Sequence, residues 1–170
     1  MTYDSPTPGL PPRGAGLVPV RFPTGAAMLL GAGLGGFVDG IVLHQVLQWH
    51  HMASSAGVPV DTLAGLEMNT LLDGLFHAAT WIMTVTAIAL LWRGARRGAR
   101  LVWSGLIGGT LMGFGLFNLV EGLVNHQILG LHHVNERVPA EQWLWWDLAF
   151  LASGLLLLAL GYALSRSARA

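Results

Sequence analysis

The sequence predicts an all-α fold, a four-transmembrane-helix bundle built from two parallel-repeat helical hairpins. Three observations predict it. Of 170 residues, 53% are hydrophobic and only 11% charged, against about 25% charged in a soluble domain. Four apolar segments each reach the roughly 20 residues that a helix needs to cross a bilayer. Finally, the stretch from Asp39 to His51 (DGIVLHQVLQWHH) recurs 82 positions later, from Glu121 to His133 (EGLVNHQILGLHH). The shared pattern is acidic-Gly-x3-His-Gln-x-Leu-x2-His-His.

Residues 1–24 are rich in proline and read as a disordered cytoplasmic tail; they lack the basic-apolar-small order of a signal peptide. The membrane domain follows over residues 25–165. Its first span runs from about Gly25 to Trp49 and its second from about Glu67 to Trp92. The third covers about Leu101 to Leu131 and the fourth about Trp143 to Leu164. The hairpin repeats are thus 25–92 and 101–164. Backbone groups in lipid must be satisfied internally, so these spans are helices. Gly31, Gly35, Gly36 and Gly40 in the first span, and Gly105, Gly109 and Gly113 in the third, are spaced for close helix packing.

Orientation follows from the arginines. All nine basic residues are Arg, and only Arg137 falls in a loop opposite the others. The positive-inside rule then puts both termini in the cytoplasm. Trp49, Trp92, Trp103, Trp143, Trp145 and Trp146 mark the two membrane borders. The net charge of zero gives no basis for nucleic-acid binding. The absence of cysteine excludes disulfides, thiolate catalysis and cysteine-ligated zinc or iron–sulfur centres.

Six of the seven histidines lie in the two copies. On a regular helix with Asp39 at zero, His44 falls at about 140°, His50 at about 20° and His51 at about 120°. Glu121, His126, His132 and His133 repeat those angles, and Asn118 and Asn125 share the arc. A polar stripe on a membrane helix must face the bundle interior or a water-filled cavity. Gln45 and Gln127 fall off the stripe, at about 240°, and are expected to hydrogen-bond neighbouring helices. On the descending helices Asp73 and Asp147 correspond, and His77 has Leu151 as its counterpart. His50, His51, His132 and His133 are expected at the outer border, with Asp39 and Glu121 roughly 16 Å deeper.

No basic residue accompanies the four intramembrane acids, Asp39, Asp73, Glu121 and Asp147. They must be protonated, paired with histidinium or bound to a cation. A purely structural network of neutral acids and histidines would account for the acids, but poorly for His pairs at both helix ends. Histidine with carboxylate suits transition metals such as copper, iron or zinc. The candidate ligands are Asp39, His44, His50, His51, Asp73, His77, Glu121, His126, His132, His133 and Asp147, enough for two or more ions. Two alternatives remain open. His44 and His126 could be axial ligands of a b-type haem, or the acids and histidines could relay protons or cations in transport.

The paired motifs resemble the bacterial membrane-protein family catalogued as domain of unknown function 2243, over roughly residues 25–165. The resemblance implies a four-helix membrane topology in the inner membrane of a bacterium. It also implies genomic proximity to cytochrome oxidase assembly factors. That favours copper or haem-related biology, with membrane or periplasmic proteins of respiratory-oxidase assembly as partners beside the lipid bilayer. An enzymatic role, if there is one, would be that of a metal-dependent membrane oxidoreductase.

Overall fold

The computed structural model describes residues 21–167. Most of the expected tail, with Arg13 and Arg169, lies outside the described residues. Helix α1 covers Thr24–Phe37 and continues without a break as a π-helix, Val38–Val46. Helix α2 covers Leu63–Arg96. Helix α3 covers Trp103–Glu121 and also continues as a π-helix, Gly122–Ile128. A short 3-10 turn, Ala140–Gln142, leads into α4, Trp143–Ser167. All four helices are long and apolar enough to cross a membrane, and no strand occurs among the described residues. At 34 residues, α2 is about 51 Å long and exceeds the roughly 30 Å of hydrocarbon.

The helix ends follow local chemistry. Pro23 starts α1, its carbonyl accepting from the amides of Ala26 and Ala27, at a position where its own missing N–H costs nothing. The Thr62 hydroxyl accepts from the Gly65 amide at 3.2 Å and caps α2. Beyond Arg97, Gly98 takes φ +89° and turns the chain toward α3.

The α1–α3 pair forms the middle of the assembly, with α2 packed on α1 and α4 on α3; α2 and α4 do not pack together. Close approach in the middle depends on glycine. A Cβ at Gly31 would collide with the backbone carbonyl of Thr110, and one at Gly113 with that of Met28. On the flanks, Gly33 lies against Thr80 and Thr84, and Gly115 against Gly154 and Leu158. Without a hydrophobic driving force between helices in lipid, such backbone contacts supply the packing. The outer helices are the less buried ones, and Ile82, Ile88, Leu155 and Leu156 present exposed apolar surface suited to lipid.

The first and third spans end earlier than a regular helix would. They stop at Val46 and Ile128, so the final histidine pair of each copy lies beyond the helix. Each end unwinds in the same way. The amides of Leu47 and Leu129 bond five residues back, to Val42 and Val124, and those of Trp49 and Leu131 bond six back, to Leu43 and Asn125. Gln48 and Gly130 then take positive φ values of 50° and 57°. This left-handed conformation reverses the chain. The expected 16 Å climb from Asp39 to His50 therefore does not occur; both His pairs fold back toward the helix ends.

Candidate metal centre

The π-helical turns bring together residues that α-helical geometry would separate. In a π-helix the backbone bonds run between residues five apart, so side chains five apart fall nearly one above the other. Asp39 and His44 are five apart, as are Glu121 and His126. His44 Nε2 lies 3.3 Å from Asp39 Oδ2, and His126 Nε2 lies 3.8 Å from Glu121 Oε1. The roughly 140° expected between these pairs is thereby largely removed.

Four imidazoles form the heart of the cluster. His50 and His132 stack almost parallel, 4.4 Å apart. His44 packs edge-on to His50 at 4.3 Å and His126 to His132 at 4.9 Å. All four are buried. His44, His50 and His132 are anchored through Nδ1, whereas neither ring nitrogen of His126 has a hydrogen-bond partner. His50 bonds the Val134 carbonyl at 2.8 Å, and His132 bonds the Met52 carbonyl at 3.1 Å. Each loop thus holds the histidine of the other copy. His44 Nδ1 reaches Asp73 at 2.8 Å, and His126 Nδ1 approaches Asp147 at 3.5 Å.

Asp73 and Asp147 stand behind the rings. Asp73 accepts from His44, from His51 Nδ1 at 2.7 Å, from the Met52 amide at 2.9 Å and from the Gln45 amide at 3.3 Å. Asp147 accepts from His133 Nδ1 at 2.7 Å, the Val134 amide at 3.0 Å and the Gln127 amide at 2.9 Å. An ionised carboxylate has about four acceptor positions, so these donors nearly saturate both groups and orient them as supports for the rings. Gln45 and Gln127 do bond the descending helices.

The anchors fix the tautomers. A backbone carbonyl can only accept, so His50 and His132 must donate from Nδ1. The nearly saturated Asp73 imposes the same on His44. Their Nε2 atoms then carry free lone pairs when the rings are neutral. Two of those lone pairs, on His132 and His44, face other acceptors. His132 Nε2 lies 3.0 Å from Glu121 Oε1, and Asp39 faces His44. Neither oxygen of Asp39 has a hydrogen-bond partner in the protein, nor do Nε2 of His44, His50 and His126. Glu121 is better held, accepting from Asn125 Nδ2 at 2.6 Å. Burial drives the His50 pKa well below its ordinary value, and the neighbouring His132 and His44 add to the effect. His50 is therefore neutral near pH 7.

Two groups have the spacing of a metal site. One is His44, His50 and His132; the other is Glu121, His126 and His132. Within each, candidate ligand atoms lie within 4.8 Å of one another and all the residues are buried. His132 belongs to both. His51 and His133 sit at the rim, only partly exposed, with their Nδ1 atoms committed to the carboxylates. His77 stands apart from both groups. Its ring faces Gly40 and stacks on Phe37, and its Nε2 has no partner. A cavity of about 690 Å3 opens beside the cluster, lined in part by Gln45, His50, His51, Glu136 and Arg137.

The carbonyls of Met52 and Val134 escape sequence reasoning, because any residue supplies one. The role of Asn125 was partly legible, since it lies on the polar stripe four residues after Glu121.

Four apolar helices enclosing a buried imidazole–carboxylate cluster at one end define a polytopic membrane protein. The chain belongs to the family described as predicted membrane protein (DUF2243), whose profile matches residues 26–168. No curated protein and no solved structure matches it.

Proposed function

We propose that this protein binds transition metal in the cluster formed by His44, His50, His126 and His132 with Asp39 and Glu121. One observation carries the reading: at His44 and His132, buried lone pairs face the carboxylates of Asp39 and Glu121 at 3.3 and 3.0 Å, with the Nδ1 protons already committed elsewhere. Such an arrangement is repulsive unless a cation or an added proton lies between the groups. Imidazoles whose far nitrogen donates to a carboxylate or backbone carbonyl are the usual supports of a metal site. Asp73, Asp147, His51, His133 and His77 are then supporting or peripheral groups.

Two ions suit the donor set, one on the His44–His50 side with Asp39 in reach and one on the His126–Glu121 side. His132 joins them into one centre. Imidazole and carboxylate favour zinc, iron or copper(II); with copper or iron the centre would be redox-active. A b-type haem is the weaker reading, because His50 and His132 stack between His44 and His126 where a macrocycle would have to lie. Ion transport is also weaker. Below the cluster, Asn118 bonds Ser153 and the Thr80 and Thr84 hydroxyls bond their own helix, which leaves no polar file toward the arginine-rich end among the described residues.

The arginine bias supports cytoplasmic termini with the cluster toward the extracytoplasmic side, and the family resemblance supports a bacterial inner membrane. The correspondence of contacts between positions 82 apart supports two parallel hairpin repeats about an axis along the membrane normal. Handling metal for a respiratory oxidase is the biological role most consistent with the family resemblance.

Metal analysis of the full-length protein, purified in mild detergent without chelators, tests the proposal. At least one equivalent of zinc, iron, copper or manganese is expected. Substoichiometric metal, together with no tight uptake on titration, would show that protons alone neutralise the cluster. An optical or paramagnetic signal that changes on reduction would distinguish copper or iron from zinc.

A further inference from the structure

The opposite end of the molecule holds a second cavity, of about 470 Å3, between the segment entering α1 and the end of α2. Arg21, Arg93 and Arg97 line it, and Pro23, Ala26 and Leu90 form an apolar wall. Arg93 and Arg97 are four apart and share a helix face. They also line an adjoining cavity of about 320 Å3 with Trp92 and Arg96. Gly94 lies against the Pro23 ring, which joins the two sides of the larger cavity.

Among the described residues the charge here is uncompensated. Every carboxylate among the described residues belongs to the other end: Asp39, Asp61, Glu67, Asp73, Glu121, Glu136, Glu141 and Asp147. No arginine forms an ion pair with a carboxylate among the described residues; all ion pairs there involve histidine. Three guanidinium groups around one cavity repel one another and invite an anion. Guanidinium matches phosphate oxygens in bidentate geometry.

We propose that this cavity binds a phosphate ester, supplied by the headgroup of an anionic phospholipid in the surrounding bilayer. The apolar wall favours lipid over free phosphate. Leu90 is exposed on the lipid-facing surface of α2, where an acyl chain would lie once the headgroup met the arginines. Basic pockets between membrane helices at this depth have the composition of a lipid-headgroup site. The alternative is that the arginines serve membrane orientation alone and stay hydrated, in which case lipid identity would not matter.

Native mass spectrometry of the full chain in detergent, with phosphatidylglycerol, phosphatidylcholine or inorganic phosphate added, separates these outcomes. Phosphatidylglycerol should be retained at least about fivefold over phosphatidylcholine, since each arginine near an anionic headgroup contributes about that factor. The double variant Arg93→Gln/Arg97→Gln should lose the preference, whereas Arg166→Gln should keep it. Arg21, Arg96 and Arg100 still mark this side in the double variant, so membrane orientation is retained. Its metal content should match the parent's, because Arg93, the nearer substituted residue, is roughly 30 Å from Asp73 along α2; this serves as the folding control. Equal retention of the two lipids, or a preference that survives the double substitution, overturns the proposal. Binding of inorganic phosphate with no lipid preference assigns the cavity to a soluble phosphate and overturns the lipid source.

Discussion

The Asp39–His51 half of the centre and the Glu121–His133 half share a framework and differ in the carboxylate that faces it. In both, a π-helical turn sets the acid under a histidine, a left-handed residue reverses the chain, and the next histidine bonds a carbonyl of the opposite loop. The second half then departs from the first. Glu121 is one methylene longer than Asp39, reaches His132 at 3.0 Å, and is held by Asn125 at 2.6 Å. Leu43 occupies the position that corresponds to Asn125, and both Asp39 oxygens are without partners. The difference teaches that an approximately symmetric frame can carry two unequal candidate metal positions, one with a free carboxylate and one with a clamped carboxylate.

The strongest way to break that comparison is to remove equivalent histidines. His132 belongs to both candidate ligand groups, whereas its counterpart His50 belongs to one. His132→Ala should remove nearly all bound metal, while His50→Ala should retain the ion of the second half. Metal content per protein, measured on folded, monodisperse samples, decides the point. Equal losses in the two variants would mean that the halves are equivalent and the sharing of His132 is immaterial.

A smaller effect is expected from the carboxylates behind the rings. Asp73→Asn and Asp147→Asn each leave the liganding nitrogens in place but weaken the acceptor that orients them. Partners of this kind typically contribute about 10- to 100-fold in metal affinity. Asp73 should have the greater effect, because it holds His44 at 2.8 Å where Asp147 stands 3.5 Å from His126. Competition against a chromophoric chelator measures both. A larger loss in Asp147→Asn would reverse the proposed ranking.

Much of this arrangement was legible in the sequence because membrane burial leaves few options. Intramembrane acids and histidines without basic partners had to meet in the interior, and the 82-residue repeat pointed to matching positions for Asp39 and Glu121, His44 and His126. Glycines four apart marked the α1–α3 contact. The path of the chain after His44 was less accessible. Regular helix was the expectation through Trp49, and nothing in the first copy signals a reversal, since Gln48 adopts φ 50° despite having a side chain. In the second copy Gly130 occupies the same place, and glycine favours that conformation. The His pairs were therefore expected too far out. His77 was grouped with the ligands on its spacing from Asp73, yet it turns toward Gly40. Its direction depends on packing between helices that a single-helix projection does not contain.

The least disruptive test exchanges the residue that distinguishes the two carboxylates. Asn125→Leu gives the second half the side chain that the first half has at Leu43. It removes the hydrogen bond to Glu121 Oε2 and leaves Oε1 facing His126 and His132. Glu121 then loses orientation but no ligand atom, so the loss of affinity should fall below the roughly tenfold minimum expected for ring-orienting partners. The loss should be confined to the ion on the Glu121 side. If redox-active metal is bound, the spectrum of that ion should shift while the other stays constant, because coordination on the Asp39 side is untouched. A change of equal size at both ions would instead mean that the bound metals respond as one unit through His132, and the distinction between a free and a clamped carboxylate would then lie in the folding of the site rather than in its coordination chemistry.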